Sequence, residues 1–408
     1  MGHRALIIGS LKPIPDEVLG SELLDSCTVL TEAGCAHYYG ADTDVSLVPS
    51  IDDLTAVRDA AREILAARNV DAVLAPTEFG VAVGGLLRSY FGIDGMGFDT
   101  AHAFANKYVM KRRLAAAGVP VTPFRQVLDL AGLPAAADAL GWPVVVKPVF
   151  GSGTVGVSVV ASEAGLRDFR AGPEAALLRQ AGCPLIAERH VDVAAEYHAD
   201  GVVVDGEPRF LAVSRYLAPV LRGIGGMQGS YQLPASHPDA AAVRELHRDA
   251  VRALGMRDGV THLEVFGTAS GFRVGEIACR PGGGGIVDSI ALQYGVDMWQ
   301  AYLETALGRP PTLDAVPADD VVVNVMLPAR PGRITRLSAA EDLAGVPGVA
   351  RVTMLHRPGD VISDVRYSTN ITGLVYLIVP SPGDVDRAVR AVADAYEFAV
   401  SPADPVPA

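Results

Sequence analysis

The sequence predicts an α/β protein, in part α+β, with more than one domain, and three observations predict it. Strand-like and helix-like runs alternate over about the first 95 residues, the pattern of a small parallel sheet covered by helices. Further on, several apolar strand runs are joined by Gly-containing turns, the pattern of hairpins. A Pro- and Asp-rich stretch at 310–319, PPTLDAVPAD, then separates the middle from a last group of strands and one helix. A length of 408 residues suits roughly two to four domains. The expected division is 1–97, an N-terminal α/β domain; 98–310, the central domain; and 320–400, a C-terminal α/β lobe.

Residues 4–9, RALIIG, read as a buried strand. Asp52 to Arg68 has Leu54, Val57, Ala61, Ile64 and Leu65 at helical spacing. Val70 to Ala75 is a second strand and Glu78 to Tyr90 a second helix. No GxGxxG follows the first strand, so no dinucleotide site is expected there. Asn106 to Ala117 is a short basic helix, stopped by Gly118 and Pro120. Pro143 to Pro148 and Pro184 to Glu188 are strands. Ala195 to Val204 and Arg209 to Ser214 flank Asp205-Gly206, a hairpin signal. Leu217 to Leu233 reads as an irregular Gly-rich loop of a length that commonly carries function. Asp239 to Leu254 is a helix, and another starts at Asp297. After the linker come strands at Val321 to Met326, Val349 to Leu355 and Ile371 to Val379. A closing helix follows, marked by Val385, Val389, Val392 and Tyr396, and the tail SPADPVPA is expected to fray.

Bulk properties exclude several classes. Half the residues are hydrophobic and a fifth charged, as in a packed globular protein. No apolar run reaches the roughly 18 residues of a membrane helix. The start, MGHRALIIGS, lacks a signal-peptide core. Four cysteines lie scattered without metal-type spacing, which fits reduced thiols in a cytoplasm. A net charge of −13 argues against a dedicated nucleic-acid binder. Any phosphate site must be a local positive cluster on an acidic body.

The chemistry concentrates in 261–286, THLEVFGTASGFRVGEIACRPGGGGI. Two alternating runs carry Glu264 and Glu276, and the turn around Gly267 and Gly271 would fold them into a hairpin. Two carboxylates on adjacent strands can hold one hard cation through oxygen ligands. Arg280 and the glycines 282–285 follow at once, so an anion held by that cation could meet an Arg with little steric hindrance. His262 reads as a packed strand histidine. Upstream, Lys147 ends a β-branched run and GSGTVGV follows; Gly151, Gly153 and Gly156 let backbone N–H groups turn to an anion, while Ser152 and Thr154 add hydroxyl donors. This is not a Walker loop, because the Lys precedes the glycines; an ordinary Gly-rich hairpin is the plain alternative. Lys107, with Lys111, Arg112 and Arg113, lies on the basic helix, which by itself reads as a solvated face. Glu188, Arg189, His190 and Val191 end a strand, where backbone groups could meet an adenine edge and a carboxylate a ribose or amino group.

Taken in order over 107–286, these pieces resemble the ATP-grasp superfamily of ATP-dependent carboxylate–amine ligases, and most resemble the L-amino-acid ligases, through HLEVF, EIACRPGGGG and the lobe after Pro310. The resemblance implies an ATP-grasp fold with ATP and Mg2+. It implies that Lys107 and Lys147 lie on the nucleotide phosphates, and that Ser152, Gly153 and Thr154 form the mobile loop over them. Glu188 and Val191 would be the adenine hinge, with Glu196 at the ribose. Glu264 and Glu276 would hold magnesium, and Arg280 would steady the acyl phosphate and tetrahedral intermediate. Many members have Asn two residues after the second Glu; here that position is Ala278, which implies leaner metal coordination.

The expected reaction activates a small carboxylic acid, an amino acid, as an acyl phosphate, passes it to an amine, and releases ADP and phosphate. Arg222, Met227, Gln228, Ser230, Tyr231, Gly283 and Gly284 are the candidate substrate contacts. The expected partners are small molecules alone, with no nucleic acid and no membrane; a homodimer is common in the superfamily. Two other readings exist: a carboxylase- or purine-pathway-type ligase activating bicarbonate, formate or glycine, and a nucleotide-binding protein that has lost catalysis.

Overall fold

The computed structural model describes residues 2–223, 225–362 and 370–402. Its first sheet is parallel, with His3–Ile8 between Leu24–Glu32 and Ala72–Leu74, and Asp44–Val48 beyond Leu24–Glu32. The helix expected at 52–68 runs Leu54–Ala67, because Asp53 caps it by accepting from the N–H groups of Thr55 and Ala56. The expected helix from Glu78 begins as a short 3-10 turn, Glu78–Gly80, and becomes α-helical over Val81–Phe91. Leu24–Glu32 and Asp44–Val48 complete the sheet without having been expected.

This first sheet is not a free-standing bead. Ala5, Ile7, Val29 and Leu74 share one apolar cluster with Phe210, Val260, Ile290, Met298 and Tyr302. The Tyr302 hydroxyl accepts from the Ala75 N–H at 2.9 Å, so the packing is also pinned by a buried hydrogen bond.

A small antiparallel sheet joins Phe124–Val127, Leu185–Arg189, Val144–Pro148 and Ser158–Val160 in that spatial order. The larger sheet has eight strands. Its order runs Gly271–Ala278, Gly259–Thr268, Ala195–Val204, Glu207–Tyr216, Gln228–Gln232, Val321–Pro328, Ile371–Val379 and Val349–Met354. The Asp205-Gly206 hairpin is present, with φ of 54° and 79°, the left-handed pair that such a tight turn demands.

One expectation is corrected here. Leu217 to Leu233 is not wholly irregular: Val220–Gly223 is one helical turn and Gln228–Gln232 is a strand. That polar strand pairs with both Glu207–Tyr216 and Val321–Pro328, so the sheet continues across the 310–319 linker. Of the tail SPADPVPA, Ser401 ends a strand and most of the rest lies outside the described residues. Phe398–Ser401 is a strand paired with Gly332–Leu337, and residues 403–408 lie outside the described residues. The unexpected helix Ile286–Tyr294 starts directly after the glycine run. Among the described residues no helix is long and apolar enough to cross a membrane.

Candidate active site

One cleft of about 290 Å3 takes its walls from both antiparallel sheets. The small sheet contributes Lys147 and Glu188; the large sheet contributes Glu196, Tyr216, Ser230, His262, Glu264, Glu276 and Asn324. The hairpin expected at 261–278 is in place, and Glu264 and Glu276 are register partners, with a bulge immediately after Glu264. Their side chains therefore emerge on the same face of the sheet. Lys107 joins them from the first turn of the helix Lys107–Ala116, which Asn106 caps through the N–H groups of Tyr108 and Val109. Its ammonium lies 2.9 Å from Glu276 Oε1 and donates to the Gly151 carbonyl at 2.6 Å. The glycine loop is thus tied to the Glu276 carboxylate through one lysine.

Glu188 lines the same cleft from the end of its strand. Its carboxylate accepts from Thr122, lies 2.9 Å from Lys111 Nζ, and lies 3.0 Å from Lys147 Nζ as a contact pair not aligned as a hydrogen bond. Burial would raise its pKa, but Lys111 and Lys147 together outweigh that and hold it at about 2. A carboxylate so engaged holds two lysines in place, and its Oε1, buried without a hydrogen-bond partner, lines the cleft. Lys111 is likewise no solvated surface lysine. It is fully buried, and its burial pulls its pKa down against Glu188. Burial also opposes the charge on Lys147, yet Glu188 and Glu276 raise its pKa overall.

Glu196 is buried and accepts from the Val220 N–H at 2.8 Å. Its burial first, and then the Glu264 charge, push it up to about 8. His262 is more than a packed strand residue. Its Nδ1 lies 2.9 Å from Asp200, which also meets His198 at 2.6 Å, and its Nε2 faces Glu264 at 3.7 Å. Burial opposes its protonation, but Asp200 and Glu264 raise it to about 10. In turn Glu264, despite its burial, is lowered, chiefly by His262. Hard oxygen donors in register, with Glu264 biased to its anion, fit a magnesium ion.

Of the other expected contacts, Ser152, Gly153, Thr154, Val191, Arg222, Gln228, Ser230, Gly283 and Gly284 line the cleft. Ser152 Oγ is buried with no protein partner. Thr154 and its flanking Gly153 and Gly156 have positive φ near 65°. Arg222 is exposed and paired with Asp192 at 2.5 Å. Ser230 is held in an internal chain, between His198 Nε2 at 2.8 Å and Asn324 Oδ1 at 2.8 Å. Met227 and Tyr231 do not reach the cleft. Both pack against the apolar cluster formed by Val321, Val323 and Val325, because strand alternation turns them to that face.

Arg280 lines the cleft, donates to Glu78 Oε2 at 2.9 Å and donates to its neighbouring Pro281 carbonyl at 2.9 Å. Glu78, Lys12 and Asn324 were not singled out by sequence reasoning. A signal existed for the first two: each follows the C-terminal end of a parallel strand, where α/β sheets bind ligands.

Two sheets enclosing paired lysines, paired glutamates and a glycine loop define the ATP-grasp class. A model of the ATP-grasp domain matches residues 112–294, and one of the L-amino acid ligase C-terminal domain 2 matches residues 325–401. The chain is 34% identical to an L-arginine-specific L-amino acid ligase of Bacillus subtilis, over 96% of this chain and 97% of the relative. A D-alanine–D-alanine ligase of Corynebacterium jeikeium is 30% identical over 46% of this chain and 52% of its own length. Among solved structures, an L-amino acid ligase from Bacillus licheniformis superposes with a TM-score of 0.77 at 20% identity, covering 98% of this chain and 99% of that one. A carboxyaminoimidazole ribonucleotide synthase from Aspergillus clavatus, complexed with ATP, shares the fold with a TM-score of 0.73 at 17% identity, covering 97% and 98%. This chain belongs to the L-amino acid ligases of the ATP-grasp superfamily, and it is an ATP-dependent carboxylate–amine ligase.

Proposed function

We propose that both substrates are amino acids and that the product is a dipeptide. The observation that carries this is the full-length likeness to an L-amino acid ligase, together with one cleft that gathers Lys107, Lys147, Glu264, Glu276 and Arg280. Arginine, the amino acid in the Bacillus subtilis relative's name, is the first candidate for one substrate.

In this reading Lys107 and Lys147 lie along the phosphates of ATP as point charges. Ser152, Gly153 and Thr154 cover the terminal phosphates with backbone N–H groups and hydroxyls. Val191 borders the adenine. Glu196, protonated near neutrality, can both donate to and accept from a ribose hydroxyl. Glu264 and Glu276 would hold Mg2+, which when bound neutralises charge on the transferring phosphoryl group. The carboxylate of the first amino acid attacks the terminal phosphorus, forming an acyl phosphate and ADP. The amine of the second then attacks the acyl carbon, and phosphate leaves with the C–O bond electrons. Arg280 stabilises the oxyanion that builds up. The 151–156 loop and the 217–233 segment exclude water, which would otherwise hydrolyse the acyl phosphate. An ADP-release screen over pairs of amino acids with magnesium tests the reading. Pair-dependent ADP with a matching dipeptide mass supports it; release with bicarbonate alone refutes it.

A further inference from the structure

The amino acid that supplies the amine keeps its α-carboxylate throughout the reaction and carries it into the product. Its subsite therefore needs a permanent cation, separate from the lysines committed to ATP. The cleft holds one that no step has used, Lys12.

Lys12 follows the strand His3–Ile8, and Glu78 follows the strand Ala72–Leu74. These two strands are parallel neighbours. The sheet order also reverses between them, because the chain moves outward through Leu24–Glu32 and Asp44–Val48 before returning to the other side of His3–Ile8. The crevice beyond the strand ends at such a reversal is the ligand position of open α/β sheets. Here that crevice opens onto Arg280, which Glu78 holds.

The backbone at Lys12 is unusual. Leu11 has φ of 49°, a left-handed conformation that a branched side chain rarely adopts. It is fixed by its N–H donating to Cys35 Sγ at 3.2 Å and by the Ser10–Lys12 bridge. Such strain persists where the surroundings impose it, and it gathers at ligand clamps. Among the described residues no carboxylate forms an ion pair with Lys12. Burial first, and then the Arg280 charge, lower its pKa against a smaller opposing pull from Glu78. Arg280 is already paired with Glu78, so the Lys12 ammonium is the charge at this corner left to meet one carboxylate.

We propose that Lys12, beside the Glu78-held Arg280, binds the α-carboxylate of the amine-donating amino acid. This rests on the dipeptide-forming reading above. The test compares two amine donors in the full-length enzyme, an amino acid and its C-terminal amide, at saturating ATP and first amino acid. The wild type is expected to prefer the free acid. In Lys12→Ala the KM for the acid should rise about 10-fold or more, while the KM for the amide should move less than about 2-fold. Lys12→Arg should recover much of the preference. The ratio of the two KM values does not depend on how much of a variant is folded, so partial misfolding does not mask the result. An unchanged ratio overturns the assignment. So does a shift that appears instead in the KM of the first amino acid when hydroxylamine replaces the amine donor. If the wild type joins no amino-acid pair, the dipeptide reading itself fails, an outcome separate from an unchanged ratio.

Discussion

Arg280 Nε donates to Glu78 Oε2 at 2.9 Å, joining residues 202 positions apart in the chain. The side chain expected to stabilise the developing oxyanion is therefore aimed by the N-terminal sheet. Glu78→Gln keeps the shape but removes the charge that orients the guanidinium. The variant should lose about 100-fold in kcat with a much smaller change in the KM for ATP, as misplacement of a catalytic group does. Steady-state ADP release checks this, and an equal change in both constants would contradict it.

Glu264 and Glu276 should fail separately and in the same way. Either Gln variant should lower amine-dependent ADP release by about 100-fold or more at standard magnesium. Raising magnesium should recover part of the activity, because one oxygen ligand set remains. A magnesium titration of each variant decides the matter; unchanged activity in Glu276→Gln would remove the metal assignment.

Acid should weaken the protein through Glu188. In the folded state its carboxyl titrates at about 2, against 4.5 when free, so between those values the unfolded chain binds more protons. The stability it contributes is complete above pH 4.5 and is lost as pH falls toward 2. The swing is on the order of 3 kcal/mol. Urea unfolding measured from pH 6 to pH 3 should show a shallower acid decline in Glu188→Gln than in the wild type. A parallel decline would place the acid sensitivity elsewhere.

Gly229 should resist substitution. Its φ is 142°, and an added Cβ would run into the Asn324 carbonyl oxygen on the adjoining strand. Gly229→Ala should cost about 3 kcal/mol by forced backbone movement. The shift should also disturb the Ser230–Asn324 hydrogen bond at the cleft wall. Thermal unfolding of the variant measures the first effect, and its kcat the second.

Much of the cleft was legible in the sequence because its groups sit on regular elements. The alternation of HLEVF and FRVGEIA fixes which side chains share a face, so Glu264 and Glu276 could be paired from spacing alone. Lys147 stood out at the end of a strand just before a glycine loop, whereas Lys107, in the first turn of a basic helix, stood out only through the ordered set of motifs. What stayed hidden depends on partners distant in the chain. Lys111 looks like a surface lysine until Glu188 is brought to it from another strand. Nothing local to Glu188 shows that two lysines and Thr122 meet its carboxylate. Gln228–Gln232 carries too many polar residues and a glycine to read as a strand; it forms one because sheet neighbours on both sides accept its backbone. Met227 and Tyr231 look like substrate contacts only as long as the segment reads as a loop; with the strand formed, both pack on the apolar cluster.

The pairing of Gln228–Gln232 with Val321–Pro328 bears on how the enzyme could be shortened. The Pro-rich stretch at 310–319 invites a cut, as a tether between independent parts would. Severing the chain there would strip three strands from an eight-stranded sheet and leave Gln228–Gln232 as a bare edge, with a row of unmet N–H and C=O groups open to any passing strand. Ser230 would lose Asn324 in the same event. A trimmed enzyme ending near residue 310 should aggregate rather than survive as a smaller ATP-binding unit.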